Sequence, residues 1–539
     1  MLDRRTFVRT RQNAVEFLIK IVNNNGDKEM KRIARCLVAV IGLALAGANM
    51  TASAQQGTPK RGGALNVGIV LDAKTFDPIV SWASNERHVQ LLVYNTLVKF
   101  RPDSTPEPDL AESWEIANNG LAIVFKLRKG VEFQDGTPFN AQAVKWNIEK
   151  RLDPASRSPL REQLAAVIDS VDALDETAVR FNLKAPSPSL FTLLADRAGW
   201  VVSPTAYEKL GPEFGSKPVG TGPFVLTQWI RGSRVVLERN EKYFDKKLPY
   251  LDRIIFSDVS GSVIGIQRLM AGELDFLLDL TPQDVIPLEA RKDIQLVPNP
   301  FSRWYELSWQ VDRAPFNNGK LRTAIAHAID RERLNQILMR GKGYISNTPA
   351  PQGVWWSDET VKTPAFDPAK AKALLKEAGL PEGFEIELST PQLPIFRQMN
   401  QLIAEQLEAV GLKVKLTPVA ASEYYARMQS GATNFSPTRW SQRPDPDGLL
   451  YLLFHKDGGA NTVKYDNPQV NAMLKEAGQI YDQGRRKALY ASVQRQLAED
   501  LPKIPLFIGV EYAGLKKNVR GFVWTPDQGG ARLASVWKD

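Results

Sequence analysis

Apolar positions along the chain alternate between two periods. The run ALNVGIVL at 64–71 is almost continuously apolar and reads as a buried strand, and LAIVFKL at 121–127 reads as another. Gly130 and the triplet Gln134-Asp135-Gly136 then mark turns. Asn140 is placed to cap a helix running to about Leu152, with Val144 and Ile148 on one face. Between 321 and 338, apolar residues at 321, 324, 325, 328, 329, 334, 337 and 338 follow the helical repeat. Asp367-Pro368 caps and opens a further helix that Gly379 stops. A strand at 384–388, a helix at 402–410 ending on Gly411, and a strand at 413–416 with Val414 and Leu416 on one face complete the pattern. Helices and strands in alternation predict α/β lobes. No tandem repeat or low-complexity linker separates them, so the lobes are expected to be joined by strands or short connections.

One stretch departs from this pattern. Residues 30–54 carry Lys31, Arg32 and Arg35, then a twelve-residue apolar run at 36–47, then Ala52-Ser53-Ala54. A basic start, a short apolar middle and small residues at the end describe a secretory signal peptide, with cleavage expected after Ala54 and a mature chain from Gln55. The run falls short of the about 20 apolar residues needed to span a bilayer, and no later segment is longer. The charged stretch 1–29 is unusual upstream of such a signal, and Met30 is the expected true start. The single cysteine, Cys36, opens the apolar run, away from the cleavage site where a lipoprotein would need it. The mature chain would therefore hold no disulfide and would rely on its core. At 539 residues, 43% hydrophobic and 24% charged, the chain has room for two or three globular domains. Its formal charge of +9 falls to +4 beyond residue 54, with both signs interspersed, which gives no footing for nucleic-acid binding.

Catalytic motifs are missing. No serine stands in Gly-x-Ser-x-Gly, no His-Glu-x-x-His occurs, and His88, His327 and His455 lie far apart. Gly220-Thr221-Gly222-Pro223 lacks the Lys-Ser/Thr of a phosphate loop and reads as a turn that needs permissive backbone at its glycines. No cofactor motif is present.

Several strings stand in order along the chain: GGALNVG (62–68), FDP (76–78), YNTLV (94–98) and PDLAESWEIANNGLAIVFKLRKGVEFQDGTPFNAQAV (108–144). VGTGPFVL (219–226), AGELDF (271–276), APFNNGKLRTAIAHAID (314–330), DPAKAKALLKEAG (367–379), RPDPDG (443–448) and LPKIPLF (501–507) follow. In this order and spacing they resemble the family 5 extracellular solute-binding proteins, the peptide and nickel binders of ABC importers. The resemblance implies an α/β, two-lobed periplasmic-binding-protein fold of type II, in the large class with an extra subdomain in the first lobe. It places lobe I at 55–305 with the subdomain at about 95–212, lobe II at 306–500, and a return to lobe I at 501–539. The crossings are expected near 304–311 and 501–507. The implied function is to bind a peptide-like or other organic solute in a cleft that closes by hinge bending, and to hand it to the permease subunits, as a monomer in the periplasm. A carrier of a metal chelate stays open, as does a carboxylate-dependent hydrolase, and a chemoreceptor or chaperone role would use the same lobes. With few histidines and no mature cysteine, a directly ligated metal is not expected.

The resemblance also implies contacts. Peptide binders anchor ligand on a Trp followed by an acid and then Asp-Pro, and here the string is Trp440-Ser441-Gln442-Arg443-Pro444-Asp445-Pro446-Asp447. The acid that would hold an α-amino group is absent, and Gln442 or Arg443 stands in its place. A guanidinium repels an ammonium and forks onto a carboxylate or phosphate, so Arg443 predicts an anionic group on the ligand. The alternative is that Arg443 pairs with Asp445 or Asp447 and only braces the loop. Asp445 is carried as a contact of the same segment, although turn and cap duties suit both aspartates. Trp82 and Ser84 occupy the first lobe's cleft-facing position, with Trp82 a stacking platform or a packed surface residue. Trp304 and Tyr305 on the expected hinge strand face either cleft or core. Phe396 and Arg397 are expected in a pocket-lining loop before the second-lobe helix, where Arg397 reads as a solvated arginine at the helix start, with a second anion clamp as the alternative.

Overall fold

The computed structural model describes residues 58–71, 73–81, 86–259, 261–351, 353–526 and 531–539, so the signal-peptide reading at 30–54 lies outside the described residues. Residues Lys60–Asp539 form one compact unit. At its first centre the apolar strand Ala64–Ile69 pairs in parallel with Arg253–Asp258 on one side and Phe276–Leu280 on the other. Antiparallel strands extend this into a seven-stranded sheet, whose far side takes in Tyr512–Lys516 from near the C-terminus. Leu65, Val67, Phe256 and Phe276 bury against helix Arg87–Val93 and its neighbours. A separate four-stranded antiparallel sheet, in the order Ala111–Ala117, Ala122–Leu127, Ala178–Leu183 and Ile168–Ala173, has its own core around Phe125, Phe181 and Leu164. Helix Ala141–Leu152 lies against it, and the Asn140 side chain accepts from the Ala143 N–H at 3.0 Å.

The second centre is an antiparallel sheet in the order Tyr344–Ile345, Lys503–Ile508, Trp304–Trp309 and Phe435–Trp440, joined by a parallel pair Phe384–Pro391 and Leu412–Val419. All six residues of Trp304–Trp309 and of Lys503–Ile508 are buried, because helices cover both faces. Both strands belong wholly to this sheet. The chain passes between the two centres just outside them, at 299–303 and 509–511. There the crossings run side by side, with Gly509 N–H donating to Arg303 O at 2.9 Å and Asn299 N–H to Glu511 O at 2.8 Å.

Three local expectations change. The periodic stretch 321–338 is two helices, Gly319–Ala328 and Arg331–Met339, because Asp330 caps the second by accepting from Arg333 N–H at 2.9 Å. The helix expected at 402–410 begins at Pro394, which takes the first-turn position where a missing N–H costs nothing. Gly220 and Gly222 serve close approach, and neither has a positive φ. A Cβ would lie 2.3 Å from Val93 O at Gly220 and 2.4 Å from Leu92 O at Gly222.

Candidate functional site

A crevice runs between the two centres and is bridged on both sides of the crossings. On one side Gln283 donates to Leu338 O at 3.0 Å, and Arg340 forks onto Glu289 with both contacts at 3.2 Å. On the other, the Tyr481 hydroxyl bonds Gly120 O and receives Ser187 N–H, each at 3.3 Å.

The segment after strand Phe435–Trp440 enters this crevice, and its base is fixed by a buried network. Glu306 Oε1 accepts from Lys503 Nζ at 2.5 Å, from Trp440 Nε1 at 2.9 Å and from the Thr438 hydroxyl. Glu306 and Lys503 have side chains 0% and 1% exposed, so this ion pair is fully desolvated and holds three adjacent strands in register. Lys503 Nζ also lies 5.5 Å from the Trp440 ring centre. Trp440 is thus braced, with part of its surface left open.

Asp445 is committed within the protein. Its two oxygens take Arg486 Nη1 and Nη2 at 2.7 and 2.8 Å, and one of them also accepts Asp447 N–H at 2.9 Å. A carboxylate so occupied has little capacity left for a ligand, which corrects the expectation of a contact there and supports the turn-and-cap reading. Arg443 does not share that pairing. It is half-buried, and desolvation lowers its pKa, with the charge of Asp196 opposing that and the charge of Arg87 adding to it. Asp447 is raised to about 7, by burial first and the neighbouring Asp445 charge second, with the charge of Arg486 pulling the other way.

Facing Arg443 is a cluster that sequence reasoning missed. Arg87, at the start of helix Arg87–Val93, forks onto Asp196, with Nη2 to Oδ2 at 3.2 Å. Burial pushes Asp196 up, and Arg87 and Arg197 outweigh it to hold the carboxyl low. Arg197 falls to about 10, through burial and then the charge of Arg87, and Arg443 adds to the same repulsion. Glu86 spends its carboxylate on the Lys74 and Thr75 N–H groups and the Ser81 hydroxyl. Three guanidiniums therefore converge from both lobes on Asp196 and Glu86.

Other expected contacts scatter. Trp82 and Ser84 lie outside the described residues. Trp304 is fully buried in the core with Trp356 and Leu450, which corrects its cleft-facing option. Its neighbour Tyr305 points to the opposite face, as strand alternation requires, stacks on Phe507 at 5.0 Å, and lines a cavity of about 380 Å³. Phe396 is a core residue, 6.3 Å from both Tyr305 and Tyr424, and Arg397 is exposed. Both sit in the first turn of helix Pro394–Glu408, which corrects the loop expected there and leaves Arg397 exposed at a helix start. The cavity takes Gln283, Arg303 and Glu511 from the first side and Tyr305, Ile395 and Arg439 from the second. Among the described residues, no three His, Cys, Asp or Glu side chains gather to hold a metal ion, and no helix is long and apolar enough to cross a membrane.

Two lobes joined by paired crossings, with charged groups from both meeting in the crevice, define a hinged solute-binding protein. Residues 105–461 match the bacterial extracellular solute-binding proteins, family 5, and the chain belongs to that family. The glutathione-binding protein GsiB of Shigella flexneri is 33% identical over 431 residues, covering 78% of this chain and 84% of that one. The periplasmic binding protein DppA of Helicobacter pylori, solved with the peptide STSA, superposes with a TM-score of 0.74 at 27% identity, covering 89% of this chain and 98% of that one. AgaA of A. tumefaciens, solved with agropinic acid, gives a TM-score of 0.72 at 26% identity, covering 88% and 99%.

Proposed function

We propose that this protein receives a small organic solute, peptide-like or otherwise bearing an anionic group, between its lobes and delivers it intact to the permease of an ABC importer. In this reading it is exported through a signal peptide cleaved after Ala54 and acts as a monomer without cofactor or catalysis. Lobe I runs from 55 to the crossing at 299–303, with its subdomain at about 95–212, lobe II runs from there to the crossing at 509–511, and the rest of the chain returns to lobe I. The observation that carries the anionic group is the convergence of Arg87, Arg197 and Arg443 on Asp196 from both sides of the crevice. Desolvated guanidiniums gain most from an anion that can accept a forked pair of hydrogen bonds. The relatives named for glutathione, a peptide and agropinic acid support an organic solute of this size.

The test is calorimetric titration of solutes against the parent protein and Arg443→Ala, with small-angle scattering on each mixture. The parent compacts on binding, and the variant loses about ten- to hundredfold in affinity. Unchanged affinity in the variant removes Arg443 from the site. A solute recovered cleaved removes the transport reading in favour of hydrolysis.

A further inference from the structure

The two bridges across the crevice stand in different places. Gln283 and Leu338 line one cavity with the crossing residues Arg303, Gly509 and Glu511, so that bridge lies at the hinge. Tyr481 lines no part of that cavity. It belongs to the loop between helices Pro468–Ala477 and Gln483–Asp500, which are buried through Leu474, Tyr490 and Val493 in the core with Trp304 and Leu450. Its ring packs across the crevice, against the core of the four-stranded sheet that holds Phe125 and Leu164. A Cβ at Gly120 would lie 3.0 Å from Tyr481 Cε2 and 3.1 Å from Pro186 Cβ, so the ring edge meets bare backbone beside a proline. The hydroxyl donates to Gly120 O and accepts from Ser187 N–H, each at 3.3 Å, so it is used in both directions.

The loop that carries Tyr481 is tied to the segment that enters the crevice. Arg486 forks onto Asp445 and donates from Nε to Ala477 O at 3.0 Å, so one side chain joins that segment to the start of the loop. A Cβ at Gly478 would lie 3.1 Å from Asp447 Oδ1, which puts the loop against the same segment. Asp482 fixes the loop's other end, capping the next helix by accepting from Arg485 N–H at 2.7 Å. Tyr481 and the 443–447 segment therefore move as one body. Rotation about the crossings leaves the Gln283 bridge nearly in place and carries Tyr481 toward or away from Gly120.

We propose that Tyr481 is a positioning residue for solute capture, a clasp that seats against Gly120, Pro186 and Ser187 when the lobes shut and holds the 443–447 segment over the solute. The inference rests on the solute-binding reading above and deepens it, by naming a contact that holds the shut state. The clasp touches protein only, so it enters the affinity of every solute by the same factor, through the fraction of protein in the shut state.

The probes are glutathione, the peptide Ser-Thr-Ser-Ala, agropinic acid and a set of dipeptides, measured by calorimetry, stopped-flow kinetics and small-angle scattering on the parent, Tyr481→Phe and Tyr481→Ala. Tyr481→Ala weakens every solute that binds by about tenfold or more, and Tyr481→Phe, which keeps the ring and loses the hydroxyl, by about three- to tenfold. The loss falls on the dissociation rate and leaves the ranking of solutes unchanged. In the parent, amide exchange at Ser187 slows when solute is added, and without solute Tyr481→Phe melts where the parent does. Parent affinity in both variants, on a parent that binds and compacts, overturns the inference and leaves the solute-binding reading standing. A loss that differs from solute to solute also overturns it, by making Tyr481 a solute contact. Ser187 exchange indifferent to solute, or a solute-free melting point lowered in Tyr481→Phe, overturns it by making the contact permanent. Failure of every probe to bind the parent overturns both readings.

Discussion

Two sets of buried charge lie close together along the crossing strands and are built to opposite rules. Below the crevice, one Glu306 oxygen gathers Lys503, Trp440 and Thr438, and the ion pair is sealed from water. In the crevice, three arginines gather around Asp196, and the Arg303–Glu511 pair shares a cavity wall with Arg439. The first set pairs its cation with its anion inside the protein, all donors converging on one Glu306 oxygen, and ties three strands in register. The second faces the crevice between the lobes, where low local dielectric makes each charge act strongly. The sealed pair is therefore expected to govern stability and, in the proposed reading, the open set to govern recognition.

The largest effect should come from breaking the sealed set. Lys503→Ala leaves the Glu306 carboxylate buried without its cation, at a cost of about 3–5 kcal/mol. Urea unfolding would show this as a lower midpoint at unchanged slope. Replacing both partners, as Glu306→Gln with Lys503→Met, should recover most of the loss, since no unpaired charge remains. A double variant as unstable as the single one would mean that the pair itself is not what holds the strands.

The Asp447 carboxyl probes the boundary between the two sets, being buried like the first and facing the crevice like the second. Its folded value of about 7 stands above the roughly 3.9 of an unfolded aspartate. A raised carboxyl contributes stability in full below the unfolded value and loses it as pH rises through the folded one. Unfolding free energy should therefore fall between about pH 4 and pH 7, with a slope of at most about 1.4 kcal/mol per pH unit from this group. Asp447→Asn leaves Asp445, Arg486 and Ser189 in place around it and should flatten that slope. An identical pH profile in the variant would assign the titration elsewhere.

What could be read in the sequence follows from how local its cause is. The helix at Ala141–Leu152 was legible because its cap, Asn140, lies next to it, and the departure of the Trp440–Asp447 segment from the peptide-binder pattern was visible in one residue, Arg443. The start of helix Pro394–Glu408 was also written locally, since Phe396, Met399, Ile403 and Leu407 keep the helical spacing, but Gln392-Leu393-Pro394 reads as loop when Pro is taken as a breaker rather than a first-turn residue. Trp304 and Tyr305 could not be sorted between core and crevice until a second sheet face was covered by helices. The crevice charges were least legible. Arg87 pairs with Asp196 across 109 residues and Arg303 with Glu511 across 208, each inside an ordinary polar stretch of the first lobe, and only the apposition of two lobes brings Arg443 to the first pair. Asp445 misled for the converse reason, because its partner Arg486 is 41 residues away and nothing nearby announces the pairing.

The smallest effect belongs to Arg397, which tests whether charge near the crevice counts unless geometry aims it there. It is exposed in the first turn of helix Pro394–Glu408, one residue from Phe396, whose ring lies near the Arg439 guanidinium. A cation at a helix N-terminus opposes the helix dipole by a few tenths of a kcal/mol at an exposed site. Arg397→Ala should thus be neutral or stabilising by about 0.3 kcal/mol, and should leave solute affinity within about twofold of the parent. Matched calorimetry and thermal unfolding would register both. If Arg397→Ala instead cost as much affinity as Arg443→Ala, the recognition charge would extend onto the outer helix face, and the division between sealed and open charge would have to be drawn by distance from the solute rather than by enclosure in the crevice.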